Sequence, residues 1–288
     1  MLRLANEFLE VSIIDPASEH ELLGPRYCSG CSVWQVLTRS GDALLAGPEY
    51  PAVPSVINGQ GAPEVFQHTL FDDPESIPET KLIIGVGLLD NHLRLRNADS
   101  HWGLRLVEPC RWTIRQNAHM LTMETSQHDE PWHLQLNRSL RLDGHVLSST
   151  TLLRNTGKTP LPVRWFAHPF FPFDPGLRLH IENLRGGVPS NPAFSALHDG
   201  TVGLARDYPW SQGHFLDLPS HAGVALASAI DAPGSTMVKI ASAFPLLKLA
   251  LWANDRTFSI EPFFGGEIAP GSSKEWSLTY TFEGINQR

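Results

Sequence analysis

The stretch Trp276-Ser277-Leu278-Thr279-Tyr280-Thr281-Phe282 alternates large apolar side chains with hydroxyls, without a break. A period of two places the aromatic and aliphatic groups on one face of a β-strand and the hydroxyls on the other. The same rhythm recurs upstream. Leu134, Leu136, Leu140 and Leu142 mark a strand, with an irregularity expected near Asn137, that closes at Asp143-Gly144. That dipeptide is a favoured two-residue hairpin turn because both residues tolerate positive φ. The return strand runs from Val146 to Leu153 and stops at Asn155-Thr156-Gly157. Residues 111–116 and 119–125 predict a further hairpin about Asn117-Ala118. Leu247, Leu249 and Leu251, then Phe258 and Ile260, predict two strands on either side of Asn254-Asp255.

Twenty-three glycines and 23 prolines interrupt the chain and leave little room for a long helix. Short strands at close spacing, with turn signals between them, predict an all-β protein built as a large antiparallel sandwich or barrel. No internal repeat or low-complexity linker divides residues 1–288, which are expected to form one domain. Residues 47–63, 72–78, 185–192 and 208–213 are turn-rich and expected as loops, where sites on a rigid β scaffold tend to lie.

The chain is 42% hydrophobic and 18% charged, with a formal net charge of -8, which is the composition of a folded globular protein. It lacks the clustered Lys and Arg that nucleic acid or an anionic membrane would require. No stretch is long and apolar enough to span a bilayer, and residues 1–15 carry Asn6, Glu7, Glu10 and Asp15 where a secretory signal would be apolar. The expected location is the cytoplasm. Cys28, Cys31 and Cys110 are too few and odd in number for a disulfide framework. Cys28-Ser29-Gly30-Cys31 has C-x-x-C spacing but no second ligand pair for zinc, so two buried thiols in a turn are expected. Among the 13 histidines no pair has a spacing that predicts a metal site, and His128-Asp129-Glu130-Pro131-Trp132-His133 is not the helical H-E-x-x-H motif.

Two segments have the residues for chemistry. In Arg164-Trp165-Phe166-Ala167-His168-Pro169-Phe170-Phe171-Pro172-Phe173, one histidine is set among aromatic rings. Rings offer flat apolar surfaces to the C–H faces of sugars, and imidazole exchanges protons near neutrality. A structural histidine beneath the aromatic cluster fits the same composition. In Leu251-Trp252-Ala253-Asn254-Asp255-Arg256-Thr257-Phe258-Ser259-Ile260-Glu261-Pro262-Phe263, Glu261 ends an apolar strand just before a proline. Partial burial there would raise the carboxyl pKa and suit a general base. A strand-end Glu facing solvent, or paired with Arg256, fits equally.

The His168-Pro169-Phe170-Phe171 run and the Trp252…Ser259-Ile260-Glu261-Pro262-Phe263 run resemble the two signatures of the aldose 1-epimerase, or galactose mutarotase-like, family. Gly24-Pro25-Arg26-Tyr27, Asn155-Thr156-Gly157 and the closing Pro270-Gly271 with its final strand are similar in order and separation. The resemblance implies a β-sandwich of the supersandwich type, with His168 and Glu261 as the catalytic acid and base. The family's N-terminal Asn-Arg and His-Gly-Gly motifs are absent. By placement, His68 stands for a second site histidine in the segment 59–68 or is a surface-loop histidine, and Arg26 is a donor to a sugar hydroxyl or phosphate or a structural residue that pins the turn. Asp199, Asp207 and Asp217 lie where the family often supplies a further acid, with Asp207 taken as the candidate.

The implied reaction is anomer interconversion of a small sugar or sugar phosphate. Glu261 takes the anomeric proton, His168 protonates the ring oxygen, the C1–C2 bond rotates and the ring recloses. This chemistry asks for no metal or organic cofactor. The alternative is a carbohydrate-binding protein that uses the same aromatic cleft without catalysis. Position of the two residues in one cleft discriminates the readings. Neither the sugar nor the oligomeric state can be read from the sequence.

Overall fold

Two antiparallel sheets face each other through the alternation that the sequence displays. The computed structural model describes residues 1–55, 58–67, 80–90, 105–182, 184–197, 201–218, 221–231 and 237–284. The larger sheet has ten strands, running from Phe194–Ala196 at one edge to Thr113–Gln116 at the other. Ser273–Glu283, Val146–Asn155 and Trp132–Asp143 follow one another in it, from its middle toward the Thr113–Gln116 edge. Trp276, Leu278, Tyr280 and Phe282 are all buried, as their spacing requires.

The smaller sheet runs in the order His214–Leu218, Lys248–Ala253, Thr257–Ile268, Leu161–Ala167 and Glu64–Gln67, with the two-residue strand Phe171–Pro172 also paired to Thr257–Ile268. Trp165 of this sheet meets Trp276 of the larger one edge-on at 5.8 Å between ring centroids, and Phe264 stacks on Trp276 at 4.4 Å. The apolar cluster between the sheets also takes in Leu9 and Val11 of the N-terminal strand Leu9–Ile13, and Leu89 of Gly87–Asp90. The architecture is therefore a β-sandwich. Among the described residues the helical turns are short 3-10 segments such as Gly24–Arg26 and Trp210–Gln212, and no helix is long and apolar enough to cross a membrane.

Three local expectations change. The strand Trp132–Asp143 pairs with Val146–Asn155 in unbroken register, so there is no irregularity at Asn137. The gap in the leucine series is Arg138, whose side chain is buried on the core face and bound to Glu64 and Thr151. The hairpin turn sits one residue later than expected. Asp143 pairs with Val146, leaving Gly144 and His145 as the turn residues, and of these only Gly144 has positive φ, at 56°. Glu261 does not end its strand. The strand continues through Pro262 to Ile268, and the proline falls where pairing to Leu161–Ala167 stops, a gap in the ladder that tolerates a missing N–H. The expected loop at residues 72–78 lies outside the described residues. Cys28, Cys31 and Cys110 are buried free thiols; burial pushes Cys28 up to about 11 and Cys31 up to about 12, away from reactivity at neutral pH.

Candidate active site

Side-chain parity in the smaller sheet builds the site. Lys248 pairs with Phe263, Ala250 with Glu261, and Trp252 with Ser259. Directly opposed residues share a face of the sheet. One face therefore carries Lys248, Trp252, Ser259, Glu261 and Phe263, while Leu249, Leu251, Phe258 and Ile260 fill the core on the other. The neighbouring strands extend the first face. Phe166 pairs with Phe263, and Asp217 pairs with Ala250. Phe166 and Phe263 stack at 4.6 Å and join Tyr27, Leu23 and Ala250 in a second apolar cluster. Thr257–Ile268 is consequently covered on both faces from Thr257 to Phe263, which explains how a glutamate in it comes to be 3% exposed.

This face forms the floor of a cavity of about 320 Å³. His168 and Glu261 both line it, with Phe170, Trp252 and Phe263 as aromatic walls and Arg26 and Lys248 as cations. His168 lies just past the strand Leu161–Ala167, where the chain leaves the sheet before rejoining it at Phe171. Its backbone N–H donates to Pro63 O at 2.9 Å, and the Phe170 N–H donates to Gly61 O at 2.8 Å. Its Nδ1 meets the buried Ser259 hydroxyl at 2.9 Å, leaving Nε2 3.5 Å from Glu261 Oε1. The ring is flanked by Phe170 at 4.3 Å and by the edge of Trp252 at 5.9 Å.

The electrostatics follow from burial. Desolvation pushes the Glu261 carboxyl up to about 8, with Arg26 and Lys248 pulling it down and Asp217 adding to the rise. Desolvation, and then Arg26, hold His168 well below the usual imidazole value. Burial thus disfavours the carboxylate and the imidazolium alike and favours the neutral form of each group. Lys248 contacts the Phe263 ring at 4.4 Å and pairs with Asp217 at 2.8 Å on the rim.

The expected substrate-binding residues divide. Arg26 lines the cavity from the turn Gly24–Arg26. His68 lies outside the described residues, although its neighbour Gln67 lines the cavity. Asp207 is exposed in the turn after the strand Val202–Leu204 and is not among the lining residues. Asp217 is the aspartate brought beside the site, through Lys248. The pairing of Glu261 with Arg256 does not form; that guanidinium donates to Tyr50 O at 3.1 Å. Sequence reasoning missed Lys248 and Ser259. Ser259 lies two residues before Glu261 and so shares its face, whereas Lys248 reaches that face only through the register that pairs it with Phe263. A second depression, of about 450 Å³, lies over the larger sheet. Its single carboxylate, Glu124, is already engaged by Arg115 at 3.0 Å and Asn137 at 2.9 Å, so it lacks an available acid–base pair.

No protein-family model matches the sequence, and no curated protein matches it either. Solved structures do. A galactose mutarotase related enzyme from Lactobacillus acidophilus superimposes with a TM-score of 0.62 at 11% identity, covering 99% of this chain and 97% of its own. A galactose mutarotase-like protein from Lactobacillus casei gives 0.62 at 11% identity, covering 98% and 100%. A galactose mutarotase-like protein from Clostridium acetobutylicum gives 0.56 at 13% identity, covering 98% and 94%. At these identities the likeness is one of fold, and it extends over nearly the whole chain.

Proposed function

We propose that the protein interconverts the anomers of a small sugar by acid–base ring opening, with Glu261 and His168 as the two proton-transferring groups. The galactose mutarotase-like fold supports this reading, but the observation that carries it is the pair itself. An imidazole and a carboxyl, both almost fully buried, face one cavity with their nearest atoms 3.5 Å apart. The anomeric hydroxyl and the ring oxygen of a sugar are bonded to the same carbon. Two proton-transferring groups must therefore lie close together to serve both, as these do.

One proton suffices for the pair. With Glu261 as carboxylate and His168 as imidazolium, Glu261 accepts the anomeric proton while His168 donates to the ring oxygen. The ring C–O bond breaks and an open-chain aldehyde forms. The pair is left as a neutral carboxylic acid and a neutral imidazole, which is the form that burial favours in the ligand-free site. The protein thereby stabilises its own state after ring opening. Rotation about C1–C2 and the reverse transfers give the other anomer and restore the charged pair. The aromatic walls provide surfaces for the C–H faces of the sugar, and Arg26 provides donors for a hydroxyl or a phosphate.

Proton-exchange NMR between sugar anomers tests this directly, with free and 6-phosphorylated hexoses. Protein-dependent exchange should fall by about 10²-fold or more in Glu261→Gln. Saturable sugar binding without any acceleration would instead favour the non-catalytic binding protein, and full activity in Glu261→Gln would remove the assignment.

A further inference from the structure

We infer that the hairpin joining the strands Met120–Asp129 and Trp132–Asp143 is a binding site for a zinc-class divalent cation, held by His128, Glu130 and His133. This goes beyond the proposed sugar chemistry and stands without it; none of the three residues lines the cavity of His168 and Glu261. No linear motif marks the site, because the two histidines are five residues apart. The hairpin register resolves this: His133 pairs directly opposite His128. Their rings project from the same face, with centroids 3.8 Å apart. Glu130, in the turn between them, points one carboxylate oxygen at both rings.

The distances suit metal ligation. Glu130 Oε1 lies 3.5 Å from His128 Nε2 and 3.3 Å from His133 Nε2, and one ligand atom from each residue falls within 4.8 Å of the others. These contacts are long for hydrogen bonds, which centre near 2.9 Å. They match the edges of a tetrahedron around zinc. Ligand bonds of about 2.0–2.1 Å give ligand-to-ligand separations of about 3.3–3.4 Å. Two imidazoles and a carboxylate satisfy three corners, and the exposure of Glu130 leaves the fourth to water. Imidazole nitrogen with carboxylate oxygen favours zinc, copper or nickel over magnesium or calcium.

The turn is also anchored from behind. The Thr156 and Gly157 N–H groups donate to His133 O at 2.9 and 3.1 Å, and the Thr159 hydroxyl donates to Pro131 O at 3.2 Å. The backbone presenting the ligands is therefore held in place by the next turn.

Isothermal titration of the full chain with zinc chloride is the test. One equivalent should bind, and His128→Ala or His133→Ala should each weaken it by about tenfold or more. Zinc should also raise the Tm of the parent chain but not of the double variant. Glu261→Gln should bind zinc as the parent does, which excludes the cavity as the site. Far-UV circular dichroism checks that the variants fold, as substitutions of exposed and half-exposed residues at the strand ends should allow. Absence of a saturable equivalent, or binding undiminished in the double variant, overturns the inference.

Discussion

The Ser259 hydroxyl and His168 Nδ1 lie 2.9 Å apart, in two buried side chains. Ser259 is two residues from Glu261 on the same face of one strand, so a single strand supplies the carboxyl of the pair and orients its imidazole. Ser259→Ala should leave sugar binding nearly intact and lower kcat roughly tenfold, the effect of one lost hydrogen bond to a reacting group. Separate determination of kcat and KM checks this; a change confined to KM would assign Ser259 to binding.

The activity profile should have a plateau bounded by loss of the pair's single proton and by gain of a second. The alkaline limb is expected near pH 8, where Glu261 ionises without a proton remaining on His168. Lys248 favours the carboxylate and Asp217 opposes it. Lys248→Met should therefore move that limb to higher pH, and Asp217→Asn to lower pH. Profiles of kcat/KM give the sign of each shift.

Stability should carry the same signature. Glu261 has a folded pKa of about 8 against an ordinary value of 4.5, so the unfolded chain releases this proton first. The carboxyl's contribution is complete below the ordinary value and is lost as pH rises through 8. His168, held low, acts oppositely: its contribution is present above the ordinary imidazole value and is lost as pH falls. Glu261→Gln should remove the alkaline loss. Denaturation at pH 6 and pH 9 should show the parent losing stability relative to the variant, on the order of a few kcal/mol.

The ion pair of Arg138 and Glu64 lies between the two sheets. Glu64 also accepts from the Ser149 hydroxyl at 2.8 Å and from Trp165 Nε1 at 2.9 Å. Glu64→Ala would leave a buried guanidinium without its counter-charge. The expected cost is about 3–5 kcal/mol, measured as a lowered urea midpoint. A change of less than about 1 kcal/mol would mean that water or a shifted side chain replaces the carboxylate.

These sites were unequally legible in the sequence. Strands with one apolar and one polar face, such as Ser273–Glu283, were apparent because alternation survives in the one-dimensional pattern. Thr257–Ile268 was harder: covered on both faces, it reads as a continuous apolar run, and Pro262 looked like its end. His168 and Glu261 stood out through their local segments. Lys248 and Ser259 did not, and Asp217 was one of three aspartates named by region, since their roles depend on the register between three strands. Arg138 appeared as a break in a leucine series because its partner, Glu64, is 74 residues away. His128 and His133 were set aside because they fit no helical metal motif, and their adjacency exists only once the hairpin has paired. Asp207 was selected by region, and the strand order brings Asp217 to Lys248 at the cavity's rim instead.

The detour of the chain between Ala167 and Phe171 has a consequence for assembly. Glu261 and Ser259 take their places as soon as the smaller sheet pairs. His168 depends on one strand of that sheet in particular, because its amide and that of Phe170 bond to Pro63 and Gly61 at the entry to the edge strand Glu64–Gln67, whose Glu64 pairs with Ala167. A chain in which this edge strand had not paired would present a carboxyl without its partner. Assembly of the pair would therefore wait on the docking of the edge strand, and the length of chain between Gly61 and Glu64 would be far less free to vary than the loop that precedes it.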